Sequence, residues 1–222
     1  AGGLECGPVL CAGKGAMSAA IAARIAREGV GALRPLLLQK FPPPSGDFDP
    51  ADWPEGKPVL AEAAVLLPII LRSEPTILFT RRSENLSRHS GQVSFPGGCA
   101  EACDVSPVET ALRETREETG IDPAFVSIAG FLERYEIGTG FAIQPVVGLV
   151  SEGFALTPDR REVAAIFEVP LAFLLDPANI TEHHGEYQGR LRHYHAFSYD
   201  GHRIWGATAA LLRDFGRRLG AW

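Results

Sequence analysis

The chain has 222 residues, of which 45% are hydrophobic, and a formal net charge of −6. This length and composition suffice for one good core, so we expect one domain with a short appendage. No apolar run reaches the 18 or more uncharged residues of a membrane span, and the acidic balance argues against a general nucleic-acid surface.

The first sixteen residues differ from the rest of the chain. They are rich in glycine, hold two of the four cysteines and precede the lone methionine, Met17. We interpret residues 1–16 as a cloning-derived leader. They lack the charged start and long apolar run of a secretory signal, and we expect a cytoplasmic protein.

Residues 17–58 are predicted to form an N-terminal helix followed by a Pro-rich connector. Ser18 can cap a helix over residues 18–27, which Gly29 ends. Six prolines between residues 41 and 58 predict an extended and mostly structureless chain.

Residues 59–222 alternate between strand and helix patterns. The apolar run 61–71 predicts a central strand, and residues 76–81 predict its neighbour. Ser106 and Glu109 form a capping box, with Pro107 at the first helical position, so a helix is expected over residues 106–119. Further strands are predicted at 125–135, 141–150, 180–187 and 191–199, a short helix at 169–175 and a last helix at 205–219.

This order of elements predicts an α/β sandwich. Phe95 and Trp205 carry no specific chemistry and are expected in its core, since aromatic side chains bury well.

The predicted helix at 106–119 belongs to an acidic stretch. Residues 101–118 contain six acids and two arginines, which account for most of the net charge. Glu114, Glu117 and Glu118 lie at i, i+3 and i+4 and share one helix face, where like charges repel. A hard cation such as Mg²⁺ or Mn²⁺ would offset this repulsion, because carboxylate-only ligation suits such ions better than Zn²⁺. The alternative is a solvated acidic face, but the Pro-Gly-Gly turn before the helix favours a metal site.

Residues 97–121 resemble the Nudix box, Gly-x5-Glu-x7-Arg-Glu-U-x-Glu-Glu-x-Gly-U, where U is apolar. The residues that match in register are Arg113, Glu114, Glu117, Glu118, Gly120 and Ile121. Thr115 stands at an apolar position of the pattern. The first acid is Asp104, and eight rather than seven residues separate it from Arg113, so the box is one residue longer.

Residues 78–98 resemble the signature of the coenzyme A pyrophosphatase branch of the Nudix hydrolases, Leu-Leu-Thr-x-Arg-Ser-x3-Arg-x3-Gly-x3-Phe-Pro-Gly-Gly. Ser87 stands where that pattern has its second arginine, and Arg88 follows directly. The one-residue expansion of the box is also typical of this branch. Residues 204–209 resemble the start of its closing helix, so the resemblance covers about residues 60–220.

The resemblance implies that residues 59–222 are a Nudix hydrolase domain, with a mixed β-sheet sandwiched between α-helices. It implies a metal-dependent hydrolase that cleaves coenzyme A or acyl-CoA at the diphosphate, giving 3′,5′-ADP and 4′-phosphopantetheine. Two alternatives stay open. One is a pyrophosphatase for ADP-ribose, nucleoside diphosphate sugars or nucleoside triphosphates; the other is a non-catalytic nucleotide-binding module.

The expected functional residues form three overlapping groups. The metal ligands for Mg²⁺ or Mn²⁺ are Glu114, Glu117, Glu118, the carbonyl of Gly98 and, from outside the helix, Glu162. The catalytic residues are Glu114, Glu117, Glu118 and Arg113. The substrate-binding residues are Arg81, Arg82, Arg88 and Gly97, because arginines bind phosphate bidentately and glycine allows close backbone approach.

Several of these assignments have alternatives. Glu162 could be a surface loop acid, and Arg113 could contact phosphate instead of positioning carboxylates through a Glu109–Arg113–Glu117 ladder. His89 is interpreted as a local structural residue. Cys99 and Cys103 lack a second pair of zinc ligands and are interpreted as incidental reduced thiols.

The expected partner is a small-molecule diphosphate of the coenzyme A type, with no nucleic acid and no membrane. Assembly as a homodimer stays open.

Overall fold

The computed structural model describes residues 9–41, 44–46, 59–84, 90–187 and 190–222. The helices in these ranges are α1 (Val9–Glu28), α2 (Val30–Leu33), α3 (Pro107–Thr119), α4 (Leu171–Leu175) and α5 (Ala207–Arg218). The strands are β1 (Pro44–Gly46), β2 (Ala61–Ile70), β3 (Thr76–Arg82), β4 (Val93–Ser94), β5 (Gly97–Cys99), β6 (Val126–Phe131), β7 (Arg134–Ile137), β8 (Phe141–Val150), β9 (Val163–Pro170), β10 (Ile180–Tyr187), β11 (Arg190–Tyr199) and β12 (His202–Trp205). Among the residues that the structure describes, no helix is long and apolar enough to cross a membrane.

Strands β1 to β9 form one mixed sheet, and β10 to β12 form an antiparallel sheet. Strand β2 lies inside the mixed sheet, parallel to β8 and antiparallel to β3 and β5. Its residues from Leu66 to Ile70 are all buried, as expected for a strand that is covered on both faces. The predicted central strand is confirmed.

Helices cover both faces of the mixed sheet. Alternate residues of β2 and β8 point to opposite faces. Helix α3 packs through Ala111 on Ala64, Leu66 and Val146. The other face carries the main core, to which α1, α4 and α5 contribute Ile25, Leu174 and Phe215. The predicted arrangement of a mixed sheet between helices is confirmed.

Helix α3 begins and ends as the sequence predicts. The Ser106 hydroxyl accepts the Glu109 N–H at 3.3 Å, and Pro107 is the first helical residue. Gly120 ends the helix in the left-handed conformation, with φ 81°. The capping box is only half formed, because the Glu109 carboxylate accepts the Val105 N–H at 3.0 Å.

The predicted N-terminal helix is longer than expected. Helix α1 starts at Val9, within the segment interpreted as a leader, and Ser18 is a buried interior residue rather than a cap. Ala22 and Ile25 pack in the main core, which joins this segment to the sheet. In the connector, residues 44–46 form β1, which pairs with β7; the rest of the connector lies largely outside the described residues.

Two predicted elements have different bounds. The strand predicted at 125–135 is two strands, β6 and β7, which both pair with β8, and within β6 the register shifts by one residue between Ile128 and Gly130. A Cβ at Gly130 would lie 2.7 Å from the Leu38 carbonyl oxygen, so this position requires glycine.

The last helix starts at Ala207 rather than Trp205, because residues 202–205 pair with β11 as strand β12. Trp205 is 38% exposed, so its predicted core position is wrong. Phe95 is buried, as predicted.

Ile25 should anchor α1, and residues 1–16 should not matter for the fold. Ile25 is 1% exposed in the main core, so Ile25→Ala is expected to lower the free energy of unfolding by about 2–5 kcal/mol through a cavity. Deleting residues 1–16 leaves that contact in place and should leave the melting temperature unchanged. Thermal melts of both variants check this, and a large loss on deletion would contradict the interpretation of these residues as a leader.

Candidate active site

The turn at Gly97 and Gly98 brings backbone directly against the acidic helix. Gly97 has a φ of 154°, and a Cβ there would lie 2.4 Å from the Ala64 carbonyl oxygen. A Cβ at Gly98 would lie 2.6 Å from both oxygens of the Glu114 carboxylate. Glycine is required at Gly97, where a side chain would meet backbone atoms, whereas a side chain at Gly98 would displace the Glu114 carboxylate. The sequence prediction of a close backbone approach at this turn is therefore consistent with the geometry.

Glu118 is the buried carboxylate of the site. Its side chain is 5% exposed, and the Gly97 N–H donates to its Oε2 at 3.4 Å. Burial raises the pKa of Glu118 to about 8, the charges of Glu114 and Glu162 add to this rise, and Arg82 opposes it. Burial also raises the pKa of Glu114. Carboxylates therefore crowd together here at an electrostatic cost.

Arg113 is the cation that contacts most of these acids. Its Nε and Nη2 donate to the two oxygens of Asp104 at 3.0 and 2.9 Å. Its Nη1 donates to Glu114 at 2.9 Å and to Glu117 at 3.2 Å, and Nη2 also donates to the Cys99 carbonyl at 3.0 Å. The hydrogen bonds from Arg113 hold the pKa of Asp104 well below its usual range.

The predicted ladder around Arg113 is only half correct. The contact between Arg113 and Glu117 exists, but Glu109 is turned to the Val105 N–H. Asp104 takes its place with a bidentate contact, the stronger geometry for this pair of groups. The sequence left the role of Asp104 open; its place as the first acid of the box was the signal that pointed to it.

Of the three predicted phosphate-binding arginines, the structure brings Arg82 to the carboxylates. Its Nη1 lies 3.9 Å from Glu118 Oε1, and its buried Nε has no hydrogen-bond partner in the described part of the chain. The Arg81 side chain forms no ion pair or hydrogen bond with any residue that the structure describes, although its backbone pairs with β4 and β9. Arg88 and His89 lie outside the described residues.

The loop before β9 carries Glu162 to the same place. The Ser83 N–H donates to the Glu162 carbonyl at 2.7 Å, which fixes the loop to the end of β3. The Asp159 N–H donates to the Glu118 carbonyl at 3.3 Å, and the Asp159 carbonyl accepts the Glu162 N–H at 3.0 Å. The sequence did not single out Asp159, which ties this loop to α3.

The chemistry of this donor set fits a hard divalent cation. Its side-chain donors are carboxylates, and a buried acid whose pKa is raised by neighbouring acids gains most from a positive charge. Among the described residues, no three acidic, histidine or cysteine side chains already surround a common metal position. Arg113 donates to one oxygen of Glu114 and to one oxygen of Glu117, so the second oxygen of each carboxylate can ligate a cation while Arg113 holds the first. Cys99 and Cys103 are free and exposed thiols.

Comparison with known proteins identifies the family. A family model described as NUDIX domain matches residues 61–190. The chain is 42% identical over 160 residues to the protein named "Uncharacterized Nudix hydrolase NudL" of Yersinia enterocolitica, which covers 71% of this chain and 80% of that protein. A protein of the same name from Photorhabdus laumondii is 40% identical over 157 residues, covering 71% and 84%.

The chain therefore belongs to the Nudix hydrolase family, whose general reaction is the hydrolysis of pyrophosphates. Members of this family generally use divalent metal ions such as Mg²⁺ or Mn²⁺. Among solved structures, a binary complex of the C. elegans Ap4A hydrolase is similar with a TM-score of 0.47 and 16% identity, covering 73% of this chain and all of that one.

The bond between Asp104 and Arg113 should contribute stability that depends on pH. The pKa of Asp104 is depressed in the folded protein, so its contribution is present above the unfolded pKa of about 3.9 and is lost as the pH falls below it. Asp104→Asn should therefore be less stable than the unchanged protein at pH 7, and the difference should shrink below about pH 4. Urea unfolding at both pH values measures this. A difference that stays constant would mean that the carboxylate charge is irrelevant.

Proposed function

We propose that this Nudix hydrolase cleaves the diphosphate linkage of coenzyme A or acyl-CoA, with Mg²⁺ or Mn²⁺, to 3′,5′-ADP and a 4′-phosphopantetheine. The observation that carries the chemistry is the convergence of Glu114 and Glu118 on the glycine turn beside Glu162. The choice of coenzyme A rests on the resemblance of residues 78–98 to the signature of that branch. The two arguments are separate, and each can fail without the other.

In this proposal the cation is held by four carboxylates and one carbonyl, those of Glu114, Glu117, Glu118, Glu162 and Gly98. When bound, the cation polarises the phosphoryl oxygens, orients the diphosphate and lowers the pKa of the attacking water. Arg113 positions Glu114 and Glu117, since one guanidinium group donates to both of them. Asp104 fixes that guanidinium group from the other side.

Arg82 is the proposed phosphate ligand best supported by its position. It lies next to a proposed metal ligand, and its buried Nε is without a partner among the described groups, so it has a hydrogen bond to offer. A diphosphate held at the cation would supply the acceptor. Arg81, Arg88 and Gly97 remain proposed substrate-binding residues on the strength of the sequence alone.

Removing one carboxylate should abolish catalysis and spare the fold. Glu118→Gln and Glu117→Gln keep the size of the side chain but remove a charged ligand, so turnover should fall by several powers of ten. Steady-state rates with Mg²⁺ measure this, with Mn²⁺ binding followed by calorimetry. The matched control is Glu109→Gln, an exposed acid on the same helix whose carboxylate faces the Val105 N–H; its turnover should not change. Near-normal turnover of folded Glu118→Gln would remove the metal-site assignment.

Coenzyme A should be hydrolysed with a higher kcat/KM than either dephospho-coenzyme A or ADP-ribose. Only coenzyme A carries a 3′-phosphate for the arginines to bind, and one charge-assisted hydrogen bond contributes roughly a 10- to 100-fold preference. The preference should fall in Arg88→Ala, because Arg82 is proposed to bind the diphosphate that all three substrates share. Mass spectrometry of the products confirms which bond is cleaved.

Each alternative function has its own outcome in this experiment. Equal efficiency on coenzyme A and ADP-ribose would favour a general pyrophosphatase. Nucleotide binding without turnover on any diphosphate would favour a non-catalytic module.

A further inference from the structure

A cavity of about 670 Å³ lies on the face of the mixed sheet that is turned away from α3. This volume is within the usual range for small-molecule sites. Its walls come from β7, the antiparallel sheet and α5. The apolar residues that line it are Tyr135, Ile137, Ala207, Ala210 and Leu211. None of these side chains belongs to the acidic site described above.

One row of paired residues joins this cavity to the active-site turn. Tyr135 is paired with Ile143, Ile143 with Ala63, and Ala63 with Cys99, which follows Gly98 directly. Residues paired directly across a sheet share a face, so these side chains form one line across it. Three strand spacings separate its ends, a distance of about 14 Å.

The middle of this row is an apolar surface that the described residues cover only in part. Ala63 and Ile143 are only partly buried, whereas most of the sheet beyond them is fully buried. This surface therefore runs from the edge of the glycine turn to the cavity, and its middle stays accessible as far as the described residues are concerned.

We propose that this row and cavity bind the pantetheine arm and the acyl group of the substrate. This inference rests on the proposed function, since it assumes a coenzyme A diphosphate at Gly97 and Gly98. The arm is about twelve bonds long from its phosphate oxygen to its sulfur, as long as about four residues of extended chain, or about 14 Å. Its sulfur then reaches Tyr135, and the acyl chain lies among Ile137, Ala210 and Leu211.

The charges around the cavity favour this arm over the nucleotide. Of the arginines at the cavity, Arg213 is hydrogen-bonded to His195 and Arg217 lies near Asp214, while Arg218, just outside the lining, is paired with Glu133. Asp214 lies beside Glu133 and would repel a 3′-phosphate at this place. The pantetheine arm is uncharged and has amides that can donate to carboxylates and accept from arginines.

The length of the acyl chain tests the proposal. With coenzyme A, acetyl-CoA, butyryl-CoA and hexanoyl-CoA, kcat/KM should rise about two- to fourfold per added methylene group until the cavity is full. Ala210→Phe places a ring in the cavity and should lower the ratio of hexanoyl-CoA to coenzyme A at least tenfold. The matched control is Ala124→Phe, the same change at an exposed alanine beside α3, which should leave that ratio unchanged.

A second variant keeps the test decisive if Ala210→Phe does not fold. Ile137→Ala enlarges the cavity and should shift the preference towards longer acyl chains. Calorimetry with S-hexanoylpantetheine, which has no diphosphate and needs no metal, should show binding that Ala210→Phe or Ile137→Ala alters and Ala124→Phe does not.

The outcomes separate this proposal from the function on which it rests. Cleavage of the acyl-CoA series with the same chain-length profile in all folded variants would overturn the cavity assignment and leave the function intact. If a cavity variant loses only the preference for coenzyme A over dephospho-coenzyme A, the nucleotide arm binds in the cavity. That result would also overturn the cavity assignment. If no coenzyme A compound is cleaved, the function fails, and the calorimetry alone then decides whether the cavity binds the arm.

Discussion

Helix α3 lies against the backbone of Gly97 and Gly98, which have no side chains. This close approach sets the positions of the other groups in the site. Gly98 leaves the space that the Glu114 carboxylate fills, and Gly97 passes the Ala64 carbonyl where a Cβ would clash. Strand β5 is held there by its pairing with residues 63–65 of β2, on which α3 also packs. The sheet register therefore sets the distance between the carboxylates and the turn. A long and flexible side chain would hold such a distance less well than two paired elements do.

The second consequence is electrostatic. Burial raises the pKa of Glu118, the charges of Glu114 and Glu162 raise it further, and Arg82 offsets this rise only in part. Arg113 is shared among Asp104, Glu114 and Glu117, so it offsets each of them only in part. An arrangement of this kind is stable because Asp104 anchors the arginine from outside the helix. It also leaves an excess of negative charge that a divalent cation can neutralise.

The features that sequence could predict are those encoded by neighbouring residues. The spacing of the glutamates, the Ser106 cap and the Gly120 stop lie within one short stretch, and α3 follows from them. The errors come from distant contacts. Trp205 is exposed because residues 202–205 pair with β11, and no local sequence pattern predicts that pairing. The sequence predicts that Ser18 caps the helix, but the helix begins before Ser18 and continues through it. Which of Arg81 and Arg82 reaches Glu118 depends on the irregular register of β3 with β9, which the sequence does not display.

The two faces of the mixed sheet separate the residues proposed for the chemistry from those proposed for substrate selectivity. The carboxylates come from α3 and the loop before β9, whereas the cavity is built from β7, β11 and α5. The glycine turn lies on β5, which pairs with β2. In the proposed binding mode, changes in the cavity alter which arm is accepted without moving the carboxylates. Under that proposal, the short acidic motif determines the reaction class, and residues far from it in sequence determine the substrate.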